Sequence, residues 1–139
     1  MDERINEALR LALAGRLDLE GYARRMAEAG VERFTVDVTS DTVTYEGAGR
    51  TIVRRVSDFA MEPRGEFDGE RLSEIFGAFR RGEMVYPVFL RWIAQAGVEA
   101  FEVVIASGRV EFRGRGGSRT EAFRDAGRKA RETNRGGRA

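Results

Sequence analysis

Arginine and glycine alternate over residues 113–117, and a further Arg-Gly-Gly triplet stands near the end of the chain. Segments of this kind bind RNA through charge and through stacking on bases. Residues 109–139 hold ten basic and four acidic side chains, a balance that favours an anionic partner. The structural alternative is that Gly114 and Gly116 form a hairpin turn and that the arginines are solvated. The candidate anion-binding or nucleic-acid-binding residues are Arg109, Arg113, Arg115 and Arg119.

Side chains suited to catalysis at neutral pH are scarce. The chain has no histidine and no cysteine, which removes the usual general base, the common transition-metal ligands and any thiolate nucleophile. Asp37 and Glu102 are predicted on the outward side of strands, where carboxylates are usually only solvated. We therefore predict a protein that is not an enzyme and that uses no metal and no other cofactor. No motif in the sequence favours an enzyme that uses carboxylates or a small-molecule sensor. A ligand bound in a cleft between two halves of the protein would support either function.

A long internal repeat organises the chain. The segment AQAGVEAFEVVI, residues 94–105, nearly repeats AEAGVERFTVDV, residues 27–38, at an offset of 67 positions. The same offset aligns Gly15 with Gly82 and Phe34 with Phe101 without a gap. We interpret the chain as two copies of one supersecondary unit.

Each copy predicts two helices followed by an antiparallel meander. Leu19, Tyr22 and Met26 recur at helical spacing, whereas Phe34 and Val36 alternate with polar residues as in a half-buried strand. The predicted fold class is α+β, an internal duplication of a helix–helix–β-meander unit with pseudo-twofold symmetry. Whether the two units pack face to face or share one sheet is left open by the sequence.

The same patterns predict the domain limits and the location in the cell. Residues 1–123 are predicted to form a single duplicated domain, with one repeat at 1–56 and the other at 68–123. Residues 124–139 are predicted to be a basic, partly disordered tail. No apolar run is long enough to span a membrane and no signal peptide is visible, so we expect a cytoplasmic protein with no membrane partner.

Differences between the copies indicate a surface for a partner. In the second copy, apolar residues replace a glycine and two charged residues of the first, and two of them share a helix face four positions apart. Large exposed apolar patches often mark interaction sites, so we predict binding of a protein partner or formation of a homodimer. The structural alternative is that these residues pack on the first copy or on a C-terminal helix. The candidate partner-binding residues are Val88, Trp92 and Val104.

The second copy resembles a known family. Residues 81–118, RGEMVYPVFLRWIAQAGVEAFEVVIASGRVEFRGRGGS, are similar to the YdfO-like family of small bacterial and prophage-encoded proteins of unknown function, sometimes labelled phage envelope protein-like. The similarity is carried by Gly82-Glu83, Tyr86-Pro87, Phe89 and Ala96-Gly97. It implies an α+β fold and brings no catalytic residue with it. Members often have a histidine near the position where this chain has Arg119.

Overall fold

The structure, a computed structural model, describes residues 2–56 and 62–123. Within them, two helices and three strands are followed by the same five elements in the same order. The first half contains α1 (Asp2–Leu13), α2 (Leu19–Glu28), β1 (Arg33–Asp37), β2 (Thr42–Gly47) and β3 (Arg50–Arg55). The second half contains α3 (Gly69–Arg80), α4 (Tyr86–Gln95), β4 (Val98–Val104), β5 (Arg109–Gly114) and β6 (Gly117–Ala122). The predicted α+β class is confirmed, whereas the predicted tail at 124–139 lies outside the described residues.

The two halves share one antiparallel sheet, with the strand order β3-β2-β1-β4-β5-β6. Strands β1 and β4 pair at its centre, where Thr35 lies opposite Glu102. These two residues are 67 positions apart, so the register is symmetric about this pair. Common descent of the two halves stays a prediction. The flanking backbone hydrogen bonds follow the same symmetry, from Val38 N to Glu99 O (2.9 Å) and from Ile105 N to Glu32 O (3.1 Å).

All four helices cover the same face of this sheet. Tyr22 of α2 meets Phe34 of β1 edge-on at 5.1 Å between ring centroids, and Phe89 of α4 meets Phe101 of β4 at 6.2 Å. Phe34 and Phe101 are both almost completely buried, so these repeat-equivalent residues have similar surroundings. No element of the described residues covers the opposite face of the sheet. In that part of the chain no helix is both long and apolar enough to cross a bilayer.

The helix starts follow simple capping rules, with one exception. Asp18 accepts a hydrogen bond from the N–H of Gly21 at 2.7 Å and so caps α2, while Asp68 caps α3 in the same way. Pro87 occupies the first turn of α4, where a residue without a backbone N–H is well tolerated. The residue preceding α4 is Val85, which stands where the first half has Asp18 and offers no side-chain cap.

Two glycines are required where a strand end passes under a helix end. A Cβ atom on Gly47 would lie 2.1 Å from the carbonyl oxygen of Gly30, and one on Gly114 would lie 2.1 Å from that of Gly97. Both neighbours are backbone atoms, which cannot rotate away. A residue other than glycine would therefore fit at either position only if the end of the helix moved away.

Replacing Gly114 with alanine should therefore destabilise the domain by about 1–3 kcal/mol or more, because overpacking against backbone forces the helix end to shift. Gly77→Ala, within α3, is the matched control. Its new Cβ would meet only the end of the Arg81 side chain, and the higher helix propensity of alanine should raise stability by up to about 1 kcal/mol. Urea denaturation measures both, and equal stabilities would contradict the close contact.

Candidate functional site

The exposed end of the second helical hairpin carries a tryptophan held by an arginine. The rings of Phe79 and Phe89 stack at 4.3 Å and fix α3 against α4 near their connecting loop. At the other end of the hairpin the guanidinium carbon of Arg71 lies 5.7 Å from the centroid of the Trp92 ring. This distance is within the range of a cation–π contact, which contributes about 0.5–1 kcal/mol at an exposed site. Trp92 remains 39% exposed, the one exposed aromatic side chain among the described residues.

The three predicted partner-binding residues do not form one surface. Val88 lies one turn before Trp92 on α4 and is half-buried. Val104 is 37% exposed, but its neighbour Val103 is fully buried beneath the helices, so Val104 lies on the opposite, open face of the sheet. The structure therefore brings Val88 and Trp92 together and separates Val104 from them.

The equivalent surface of the first half has a different chemistry. Arg25 stands at the position of Trp92 and lines a groove of about 660 Å³ between α1 and α2. The other residues of that groove are mostly charged, with acidic and basic side chains side by side. Within it Arg10 pairs with Glu7 at 2.7 Å. The first half thus offers a polar groove where the second half offers an aromatic ring.

The four candidate anion-binding arginines are divided between three places. Arg109 and Arg113 lie on the open face of the sheet, and Arg115 lies in the turn between β5 and β6. Arg119 points to the helical side, where it donates to the carbonyl oxygen of Gly69 at 3.0 Å and to Ser73 Oγ at 2.9 Å. Arg119 therefore joins β6 to α3 and does not extend a basic surface.

The open face of the sheet is balanced in charge. Arg33 pairs with Glu46 at 2.8 Å and approaches Glu102 at 3.8 Å, and Arg113 pairs with Glu111 at 3.4 Å. By strand alternation this face carries four arginines and four carboxylates. They are Arg33, Arg55, Arg109, Arg113, Asp37, Glu46, Glu102 and Glu111.

Asp37, a candidate for acid–base chemistry, stabilises the turn after β1 through hydrogen bonds. Its carboxylate accepts hydrogen bonds from the backbone N–H groups of Thr39 and Ser40 and from the Thr39 hydroxyl. Partial burial acts to raise the pKa of Asp37, but these hydrogen bonds outweigh it and hold the pKa below its ordinary value. The carboxylate is therefore ionised at neutral pH. Its partner across the sheet is Ala100, not Glu102.

The interior contains a polar cluster that sequence reasoning missed. All three tyrosines of the chain are buried together, with 2.6 Å between the hydroxyl oxygens of Tyr22 and Tyr45 and the ring of Tyr86 stacked on Tyr22. Burial raises the pKa of Tyr45 to about 12 and also raises the pKa of Tyr22 and Tyr86. Asp41, only 8% exposed, adds to the effect on Tyr86.

The sequence does hold a signal for this cluster. In the repeat alignment Tyr22 and Tyr45 face Phe89 and Phe112, and Tyr86 faces Leu19. In the first two pairs the aromatic ring alone satisfies the helix and strand patterns, so these patterns do not distinguish tyrosine from phenylalanine. The three hydroxyl groups are what distinguishes the cluster from its counterpart in the other half.

Comparisons with known proteins leave the family open. No protein-family model matches this sequence, and a search of curated proteins found no match. The resemblance of the second copy to the YdfO-like family therefore stays a prediction.

The tyrosine cluster should make the protein lose stability in alkali. Tyr45 binds its proton more tightly in the folded than in the unfolded state, so its contribution is complete below pH about 10 and disappears as the pH rises to about 12. Because all three tyrosines belong to the cluster, the ultraviolet absorbance of tyrosinate reports on it alone. The native protein should show little tyrosinate at pH 10, and full ionisation there without unfolding would contradict the burial.

The hydroxyl pair should behave as a unit in mutagenesis. Tyr22→Phe or Tyr45→Phe alone leaves one buried hydroxyl without its partner and should lower the free energy of unfolding by about 1–3 kcal/mol. The double variant recreates the phenylalanine pair of the second half and should be less destabilised than the two single variants together. A double-mutant cycle by urea denaturation measures this coupling, and additive effects would contradict it.

Proposed function

We propose that this chain is a non-enzymatic binding module that recognises a protein partner, a second copy of the chain included, through the Arg71–Trp92 surface of α3 and α4. The observation that carries the proposal is the exposed Trp92 ring beneath the Arg71 guanidinium. Tryptophan and arginine are the residues most enriched among those that dominate binding energies. Here they stand next to each other on one helical hairpin.

The contact between the two side chains prepares the surface for binding. Ordering a flexible side chain on association costs about 0.5–1.5 kcal/mol, and a ring already held in place avoids part of that cost. Burying the exposed part of the indole then stabilises the complex. Half-buried Val88 extends the apolar area by one helical turn. A pocket that accepts the ring and offers carboxylates to Arg71 is the partner chemistry that fits.

The fold itself does not require a tryptophan at this position. Arg25, the equivalent residue, serves in the first half on a helix of the same length and with the same buried stripe. The proposal favours a protein over a nucleic acid because the open sheet face is neutral and Arg119 is tied to α3.

Trp92→Arg, which introduces the residue of the first half, should strongly weaken partner binding without unfolding the domain. Loss of a dominant interface residue weakens binding by about 2 kcal/mol or more, so the dissociation constant should rise at least about thirtyfold. Sedimentation equilibrium tests self-association directly. For other partners, a photo-crosslinking residue at position 95, which is exposed and about one turn beyond Trp92 on α4, identifies the bound protein in cells, and calorimetry on the purified pair gives the affinity.

The matched control is Arg25→Ala in the first half, which should leave association unchanged. Trp92 is the only tryptophan of the chain, so a blue shift of its fluorescence on binding reports burial of this ring. If the Trp92→Arg variant stays folded and keeps both its association state and the affinity for every crosslinked partner, the proposal is wrong.

A further inference from the structure

A cleft of about 430 Å³ opens where the loop between α1 and α2 meets the loop between α3 and α4. Its apolar wall comes from both halves, with Leu17 on one side and Phe79, Met84 and Val85 on the other. Val85 is 46% exposed in this cleft. A volume of this size is within the range of pockets that hold small molecules. We refer to it as the inter-loop cleft.

Glycines keep the first-half side of the inter-loop cleft open. Gly21 belongs to the first turn of α2, and its counterpart in the second half is Val88. A Cβ on Gly21 would lie 3.1 Å from Asp18 Oδ1 and 3.3 Å from Leu17 Cδ2. Any side chain at this position would therefore crowd the apolar wall.

The rim of the inter-loop cleft is positively charged. Arg16 and Arg24 both line it, and within the described residues neither guanidinium makes a hydrogen bond or an ion pair. The one carboxylate of the lining, Asp18, accepts the N–H of Gly21 and caps α2. Two arginines against one carboxylate leave the cleft with a net positive charge beside an apolar wall.

The loop chemistry of the two halves differs at the residue that matters most for such a cleft. Where the first half places the carboxylate of Asp18, the second half places the side chain of Val85, and α4 begins without a side-chain cap. An aspartate at position 85 would have capped α4 and cancelled the charge of one arginine. Valine instead supplies apolar surface and leaves the positive charge uncompensated.

We infer that the inter-loop cleft binds a small amphiphilic anion, with its apolar chain or ring against Leu17, Met84 and Val85 and its carboxylate at Arg16 and Arg24. Guanidinium groups suit this role because they hold carboxylates through paired, charge-assisted hydrogen bonds. The site is distinct from the Arg71–Trp92 surface, and the inference does not depend on the proposed function.

Calorimetry of the full chain with decanoate below its micelle concentration tests the inference. Decan-1-ol and decyltrimethylammonium, which have the same chain, are the neutral and cationic probes. Decanoate should bind at least about tenfold more tightly than either, since the charge-assisted hydrogen bonds are lost with both. Equal binding of the three probes, or no binding of decanoate, would overturn the inference. Binding to anionic phosphatidylglycerol vesicles but not to free decanoate would assign the cleft to a membrane surface and overturn it too.

Variants separate binding from folding. Val85→Asp adds the missing cap of α4 and a negative charge in the cleft, so its melting temperature should not fall while its affinity for decanoate drops at least about tenfold. Gly21→Val fills the cleft with the residue of the second half and should also weaken binding.

Arg24→Gln should lower the affinity for decanoate, whereas Arg91→Gln, the equivalent change outside the cleft, should not. Unchanged affinity in Val85→Asp and Arg24→Gln would refute the assignment.

Discussion

The antiparallel pairing of β1 with β4 is the interaction on which the rest of the molecule depends. Each half alone would be a three-stranded sheet with two helices, a unit of marginal core with an unpaired strand at its inner edge. The central pairing removes both inner edges and sets Phe34 opposite Val103 and Val36 opposite Phe101. It also brings the two helical hairpins side by side, so that Tyr22 stacks on Tyr86 and the two inter-helix loops meet.

Local rules were sufficient to predict the elements but not their assembly. Helical spacing and strand alternation depend on neighbours a few residues away, and the helices and strands that they predict are confirmed. The sequence does not predict that the halves share one sheet, because alternation along β1 and β4 is the same whether two sheets stack or two strands pair edge to edge. The register between residues 67 positions apart has no local signal.

The same distinction between local patterns and long-range packing applies to the predicted sites. The prediction that two of the apolar residues share a helix face holds for Val88 and Trp92, because a helix fixes which side chains lie together. The contact of Trp92 with Arg71 could not be predicted, since it depends on how α3 lies against α4. The repeat comparison also groups Val104 with Trp92, but the exposed residues of a strand and those of a helix packed on it point in opposite directions. The sequence likewise does not reveal that α3 lies over Arg119 and removes it from the exposed charges of the sheet.

The near symmetry of the molecule provides an internal control for what the fold requires. Arg25 and Asp18 occupy the positions of Trp92 and Val85 in a half with the same elements, so neither apolar residue is needed to build them. Both are exposed, and at Val85 the chain also forgoes a helix cap that contributes about 1 kcal/mol. The contact of Trp92 with Arg71 contributes about 0.5–1 kcal/mol, but the first half folds into the same elements without either apolar residue. In both proposals these two residues serve binding, at the Arg71–Trp92 surface and in the inter-loop cleft, whereas the symmetric residues, such as Phe34 and Phe101, are explained by the core alone.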